Sequence, residues 1–211
     1  FLALRPTQWT KNAIVLAAFF FALGDHSLGT LPLGLGVRAL GAALLFCLVS
    51  SAVYLMNDLG DLAADRLHPL KRLRPIAAGR VPAAAAYRAA TSLALLGIVG
   101  GWLLEPRVGL ALAAYLVMQL AYTVWLKKIA LVDLLVIAAG FVLRAMTGAL
   151  AVRVPISPWL LLCTFLLALF LGLCKRRHEK RLLDDPSATR HRAVLEQYDT
   201  ALLDPLIAIS A

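Results

Sequence analysis

Charge is scarce in this sequence: 16% of its 211 residues are Asp, Glu, Lys or Arg, while 61% are hydrophobic. A water-soluble domain of that length does not need so much apolar side chain, because its outer face must meet water. Cysteine is scarce too. Cys47, Cys163 and Cys174 all sit in or at the end of apolar runs, without metal-ligand or disulfide-framework spacing, which leaves buried reduced thiols as the reading. No Ser-His or Cys-His arrangement suggests a nucleophile paired with a base. No starting Met or basic n-region precedes Phe1, so no cleavable signal is read. At the other end DPLIAISA breaks off within a new apolar segment, and the expectation is a piece of a longer protein.

What is abundant is apolar sequence in runs long enough to cross a bilayer, which takes roughly 20 residues of helix. The expected fold class is all-α, a polytopic transmembrane helical bundle that forms a single domain over 1–211, incomplete at its C-terminus. Spans are predicted at 12–24, 31–58, 82–104, 108–126, 129–152 and 157–175, with a seventh starting near Leu202. The connections after the second and sixth are long and charged; the segments 59–81 and 176–200 are read as cytoplasmic loops, the latter with a short helix. Orientation follows from the basic residues. Arg5, Lys11, the stretch DRLHPLKRLRPIAAGR, Lys127, Lys128 and KRRHEKR fall on one side, against little beyond Arg107 and Arg153 on the other. The even-numbered spans therefore end at the cytoplasm, in a multi-pass cell-membrane protein whose active face is cytoplasmic. Two arginines remain inside apolar runs. Arg38 is near enough to a span end to snorkel. Arg144 is deeper, where a charge needs a partner or a polar cavity; a structural pair and a substrate contact both stay open.

The second span ends in NDLGDLAADRLHPLKRLRP. If the helix continues through it, Asn57, Asp61 and Asp65 fall at i, i+4 and i+8, with Asp58 beside them, so three carboxylates and an amide share a face. Such a cluster is unfavourable without a cation, and it stands at the helix end where the dipole disfavours negative charge. Oxygen donors of this kind suit Mg²⁺, which completes its shell with water and substrate phosphate. His68, Lys71, Arg72 and Arg74 follow at once. They read either as positive-inside topology with lipid headgroup contact or as a phosphate clamp, and adjacency to the acids favours the clamp. The sixth span ends in GLCKRRHEKRLLDD, where Lys175, Arg176 and Arg177 precede Glu179. That cluster can hold a second phosphate or anchor the helix, and cannot hold a metal alone.

These residues resemble the UbiA superfamily of intramembrane prenyltransferases, whose first signature, NDxxDxxxD, is matched by Asn57, Asp58, Asp61 and Asp65. More narrowly, LRPTQWTKN, NDLGDLAADRLHPLKRLRPIAAG, YTVWLKKIALVD, GFVLRAMTGALA and KRRHE are similar, in that order, to the decaprenyl-phosphate phosphoribosyltransferase branch. The resemblance implies about nine helices in a complete member, of which at least seven are expected here. It also implies attack of a polyprenyl phosphate on C1 of 5-phosphoribosyl 1-diphosphate, with release of diphosphate, in the supply of cell-wall arabinan precursors. Mg²⁺ on Asp58, Asp61 and Asp65, steadied by Asn57, is the implied catalytic centre. Lys71, Arg72 and Arg74 are assigned to the diphosphate or the ribose 5-phosphate. Lys175, Arg176 and Arg177 are assigned to the other phosphate, with Glu179 orienting them or a ribose hydroxyl. Lys11, Tyr122 and Lys127 match motifs of the branch at the same face.

One departure matters: a typical aromatic prenyltransferase carries a second, DxxxD-like motif on the sixth helix, where this chain has Lys175 and Glu179. That puts a second metal site in doubt and disfavours the alternative, transfer of a prenyl group from prenyl diphosphate to a small aromatic acceptor. A transporter reading is disfavoured because the acids lie at a helix end and not near the bilayer midplane. Expected partners are the two substrates and the lipid bilayer, with no nucleic acid; a homo-oligomer is left open.

Overall fold

A computed structural model describes residues 2–24, 33–183 and 200–211 of the chain. Every regular element among them is helical. Eight α-helices follow a 3-10 helix at Pro6–Leu16: α1 Ala17–Gly24, α2 Leu33–Gly60, α3 Leu62–Leu67, α4 Ala83–Leu104, α5 Pro106–Val124, α6 Val132–Val152, α7 Pro158–Leu183 and α8 Thr200–Ser210. Five of them, α2 and α4 to α7, are long and apolar enough to cross a membrane. Their outer faces carry exposed leucines and valines, among them Leu40, Leu44, Leu96, Val99 and Leu103, as a hydrocarbon solvent allows.

The predicted second to fifth spans agree with α2, α4, α5 and α6 to within a few residues. The sixth does not stop at Lys175: α7 continues through RRHEK to Leu183, so residues 176–183 are helix and not loop. The rest of that predicted loop, 184–199, lies outside the described residues. The predicted first span, 12–24, opens on the last five residues of the 3-10 helix and is α-helical over the eight residues of α1.

The reason for that 3-10 segment lies in its partners. Arg5 reaches Asp58, Trp9 Nε1 donates to Ser51 Oγ at 3.0 Å, and Asn12 Nδ2 donates to Ser50 Oγ at 3.1 Å and Cys47 Sγ at 3.2 Å. This antiparallel ladder runs from Asp58 back to Cys47 on α2, about 16 Å at the α-helical rise of about 1.5 Å per residue. Seven residues of 3-10 helix cover about 14 Å, where α-helix would cover about 10 Å. The extended pitch keeps the three side chains in register with α2.

The chain separates into two compact units: 1–120 with 143–156, and 121–142 with 157–211. The first is built around α2. Phe46, Val49 and Val53 meet Val15, Val108, Leu112, Tyr115 and Ala151, while Leu55 meets Ile76, Ala86 and Ala90. Gly148 of α6 lies directly on the backbone carbonyl of Val15, where any Cβ would collide; small residues permit such backbone approach in membrane bundles. Arg38 is engaged at helix ends. Its Nε donates to Ala151 O at 2.8 Å and its Nη2 to Leu104 O at 2.9 Å, so it satisfies carbonyls at the C-terminal ends of α6 and α4. Glu105 joins it at 3.6 Å and Arg153 at 2.7 Å. In the second unit Leu134, Leu173 and Leu203 form the core.

Candidate active site

The acid-rich segment is almost, but not quite, one helix. α2 ends at Gly60, Asp61 adopts φ −95°, ψ 6°, and α3 begins at Leu62. Backbone bonds from Asp61 N to Asn57 O (2.9 Å) and from Asp65 N to Asp61 O (2.8 Å) carry the helical repeat across the break. The kink sends the side chains to different depths. Asp58 and Asp65 are 3% and 2% exposed, whereas Asp61 is half-buried.

Buried carboxylates need partners, and guanidinium groups supply them. Arg74 Nη1 donates to Asp65 Oδ2 at 2.6 Å and to Asp58 Oδ1 at 3.2 Å, bridging the two acids. Arg5 Nη2 donates to the same Oδ1 of Asp58. Asn57 Oδ1 is buried and has no hydrogen-bond partner among the described residues. The segment after the acids folds back over α2 through a short 3-10 turn at Lys71–Leu73 and the buried Ile76. His68 Nδ1 accepts from Leu70 N (3.2 Å) and Lys71 N (3.3 Å), which makes His68 a brace for this turn. Lys71 is half-buried and Arg72 exposed, and neither has an ion pair among the described residues.

The donor chemistry of this end fits a hard divalent cation: three carboxylates, and an amide oxygen that is buried with its acceptor capacity unused. Among the described residues no three acidic, His or Cys side chains converge as a ready-made cage. Positive charge is instead supplied at Asp58 and Asp65 by Arg5 and Arg74.

Of the other predicted residues in this unit, Lys11 is exposed on the 3-10 helix. Arg144 is 6% exposed. Its Nε donates to Asn12 Oδ1 at 2.8 Å and its Nη2 to Tyr115 Oη at 2.9 Å, and its Cζ lies 5.0 Å from the Phe46 ring centroid and 4.9 Å from that of Tyr115. Phe46 precedes Asp58 by about 18 Å along α2. These contacts give Arg144 a structural setting deep in the bundle, apart from the acids.

In the second unit the basic end of α7 is internally balanced. The Arg176 side chain is 3% exposed; its Nη2 (2.7 Å) and Nε (3.1 Å) meet Asp133 Oδ2, and its Nη1 meets Glu179 Oε2 at 2.6 Å. Arg177 pairs with Asp204 at 2.6 Å. Lys175, 72% exposed, stands 3.8 Å from Glu179. Tyr122 and Lys127 are half-buried near the end of α5 and in the turn that follows it. Sequence reasoning missed three residues here: Arg5, Asp133 and Asp204. An acid in the first turn of α6 is a visible signal for Asp133. Nothing local pairs Arg5 with a residue 53 positions away.

The model of the UbiA prenyltransferase family matches residues 12–185. The sequence is 40% identical, over 209 residues, to the decaprenyl-phosphate phosphoribosyltransferase of Mycobacterium tuberculosis, covering 99% of this chain and 68% of that one. It is 39% identical over 212 residues to the protein so named from Mycolicibacterium smegmatis, covering 99% and 65%. This chain thus spans about two thirds of the length of those relatives. The fold is similar to that of a UbiA homolog from Archaeoglobus fulgidus bound to DMAPP and Mg²⁺, with a TM-score of 0.75 at 18% identity, covering 98% of this chain and 73% of that one.

Proposed function

The chain belongs to the UbiA prenyltransferase family and is a transferase, and we propose that it moves a 5-phosphoribosyl group from 5-phosphoribosyl 1-diphosphate to a polyprenyl phosphate, releasing diphosphate. Relatives named decaprenyl-phosphate phosphoribosyltransferase at about 40% identity support this reading. The observation that carries it is the end of α2, where two buried carboxylates, a half-buried third and an unsatisfied amide oxygen adjoin arginines and a lysine.

Asn57, Asp58, Asp61 and Asp65 are the residues that would hold Mg²⁺, which when bound supplies positive charge to the leaving diphosphate. The chain's own groups do the rest. Lys71 and Arg72, without ion pairs among the described residues, offer cations to a phosphate beside the acids. The kink at Asp61 leaves that carboxylate more accessible than its neighbours, at the mouth of the site. Ribosyl transfer develops oxocarbenium character at C1, so stabilising the departing diphosphate dominates. A polyprenyl phosphate is already an anion near neutral pH, so the nucleophile needs no strong base; His68, with Nδ1 engaged by backbone, is free of that duty. The exposed apolar faces of the helices suit a long prenyl tail in the bilayer.

The decisive assay offers purified protein two labelled donors in turn. Label from phosphoribosyl diphosphate should enter the lipid fraction only when polyprenyl phosphate is present. Transfer from prenyl diphosphate to an aromatic acceptor, with none from the ribosyl donor, would replace this reading with the aromatic-prenyltransferase one.

A further inference from the structure

Arg5 is bound to the acidic end by more than its charge. It caps the 3-10 helix in the left-handed region, φ 52° and ψ 59°, a conformation costly for a residue with a Cβ. Both backbone groups hold it there: Arg5 N donates to Leu2 O at 3.1 Å, and Gln8 N donates to Arg5 O at 2.8 Å. The turn aims the side chain across the Tyr54 ring, 5.2 Å from its centroid, onto Asp58 Oδ1. That single oxygen, on a side chain only 4% exposed, also accepts from Arg74. It thus accepts from two guanidinium groups, while Asn57 Oδ1 one residue away has no hydrogen-bond partner among the described residues.

Two guanidinium groups and a divalent cation cannot all share one carboxylate oxygen, because the like charges would sit within a few ångströms of one another. Arg74 keeps a second anchor on Asp65; Arg5 has Asp58 alone among its described ion pairs. Arg5 is also 28% exposed and stacked, so its head can turn about the Tyr54 face without leaving the site. A guanidinium released beside a polyanion finds the planar, two-pronged acceptor it matches best.

We propose that Arg5 is a further substrate-binding residue: it is stored on Asp58 as a counter-ion, yields that carboxylate when a divalent cation binds, and then holds the diphosphate of the donor. The proposal rests on the functional reading above for the identity of the site, and it makes a claim that reading does not. Arg5 must oppose binding of the cation alone while favouring binding of the anion.

The test measures Mn²⁺ binding by electron paramagnetic resonance, then inorganic diphosphate binding at saturating Mn²⁺, on the purified full chain in detergent. In Arg5→Gln, Mn²⁺ alone should bind several-fold more tightly than in wild type, and diphosphate should bind about tenfold more weakly, as expected for loss of one charge-assisted contact. Arg5→Lys retains the charge and loses the fork, so Mn²⁺ affinity should stay near wild type while diphosphate still weakens. It also serves where Arg5→Gln does not fold. A merely structural Arg5 would weaken both ligands together, and that result overturns the proposal, as does unchanged diphosphate binding in both variants. Wild-type protein that binds no Mn²⁺ sinks this proposal together with the metal site. Wild-type Mn²⁺ binding that is lost in Asp61→Asn yet indifferent to Arg5 sinks this proposal alone.

Discussion

The two charged helix ends of this protein are opposite in composition and alike in construction. At the end of α2 two of three aspartates, Asp58 and Asp65, meet arginines drawn from elsewhere in the chain, Arg5 before it and Arg74 after it. At the end of α7 three cations, Lys175, Arg176 and Arg177, face Glu179, Asp133 and Asp204. The difference is in what is left over. Among the described residues, the acidic end keeps a buried acceptor without a donor and has Lys71 and Arg72 beside it without ion pairs. At the basic end the most buried cation is fully engaged by two carboxylates. A site that binds must hold unspent capacity, and on that ground we propose the end of α2 as the chemical centre and Arg176 as a structural tie.

That contrast breaks first at Asp133. Removing one partner of a buried ion pair typically costs about 3–5 kcal/mol, so Asp133→Ala should lower thermal stability in detergent sharply. The double variant Asp133→Ala/Arg176→Met should regain most of it. Unchanged stability with loss of substrate affinity would return Arg176 to the phosphate-binding role assigned from sequence.

Next in size is Asp61→Asn, which keeps shape and removes one charge from the accessible acid. Turnover should fall on the order of 100-fold, about 2.7 kcal/mol, as for other groups that act on charge developing in the transition state. The metal concentration for half-activity should rise with it. A change confined to KM would contradict a role in departure of the leaving group.

Lys71→Gln and Arg72→Gln should each raise the KM for the ribosyl donor a few-fold with kcat little changed, because contacts to a bound phosphate persist in ground and transition states alike. The smallest effect belongs to Arg177→Gln. Its pair with Asp204 is 37% and 52% exposed, and such a pair contributes roughly 0–1 kcal/mol to stability; a thermal unfolding curve should scarcely move.

The spans and the acidic motif were legible because each writes a local pattern. Long apolar runs report α2, α4, α5 and α6, and carboxylates three and four residues apart report an acid-rich helix end, though not its break at Asp61. What stayed hidden was set by partners distant in sequence. Neither the 3-10 form of Pro6–Leu16 nor the role of Arg5 has a local signature, because both follow from register against α2. The basic run KRRHEKR looked like a loop with free cations; Asp133 and Asp204, which neutralise it, lie 43 and 27 positions away. Arg38 illustrates the same limit, since its acceptors are carbonyls at the ends of two other helices.

The central claim is that the α2 end works through a divalent cation held by Asp58, Asp61 and Asp65. Its most direct test is lipid product formed from labelled phosphoribosyl diphosphate and polyprenyl phosphate, measured first in excess EDTA and then with Mg²⁺ or Mn²⁺ restored. The account predicts no product in EDTA and full recovery with either metal. Undiminished turnover in EDTA would contradict it.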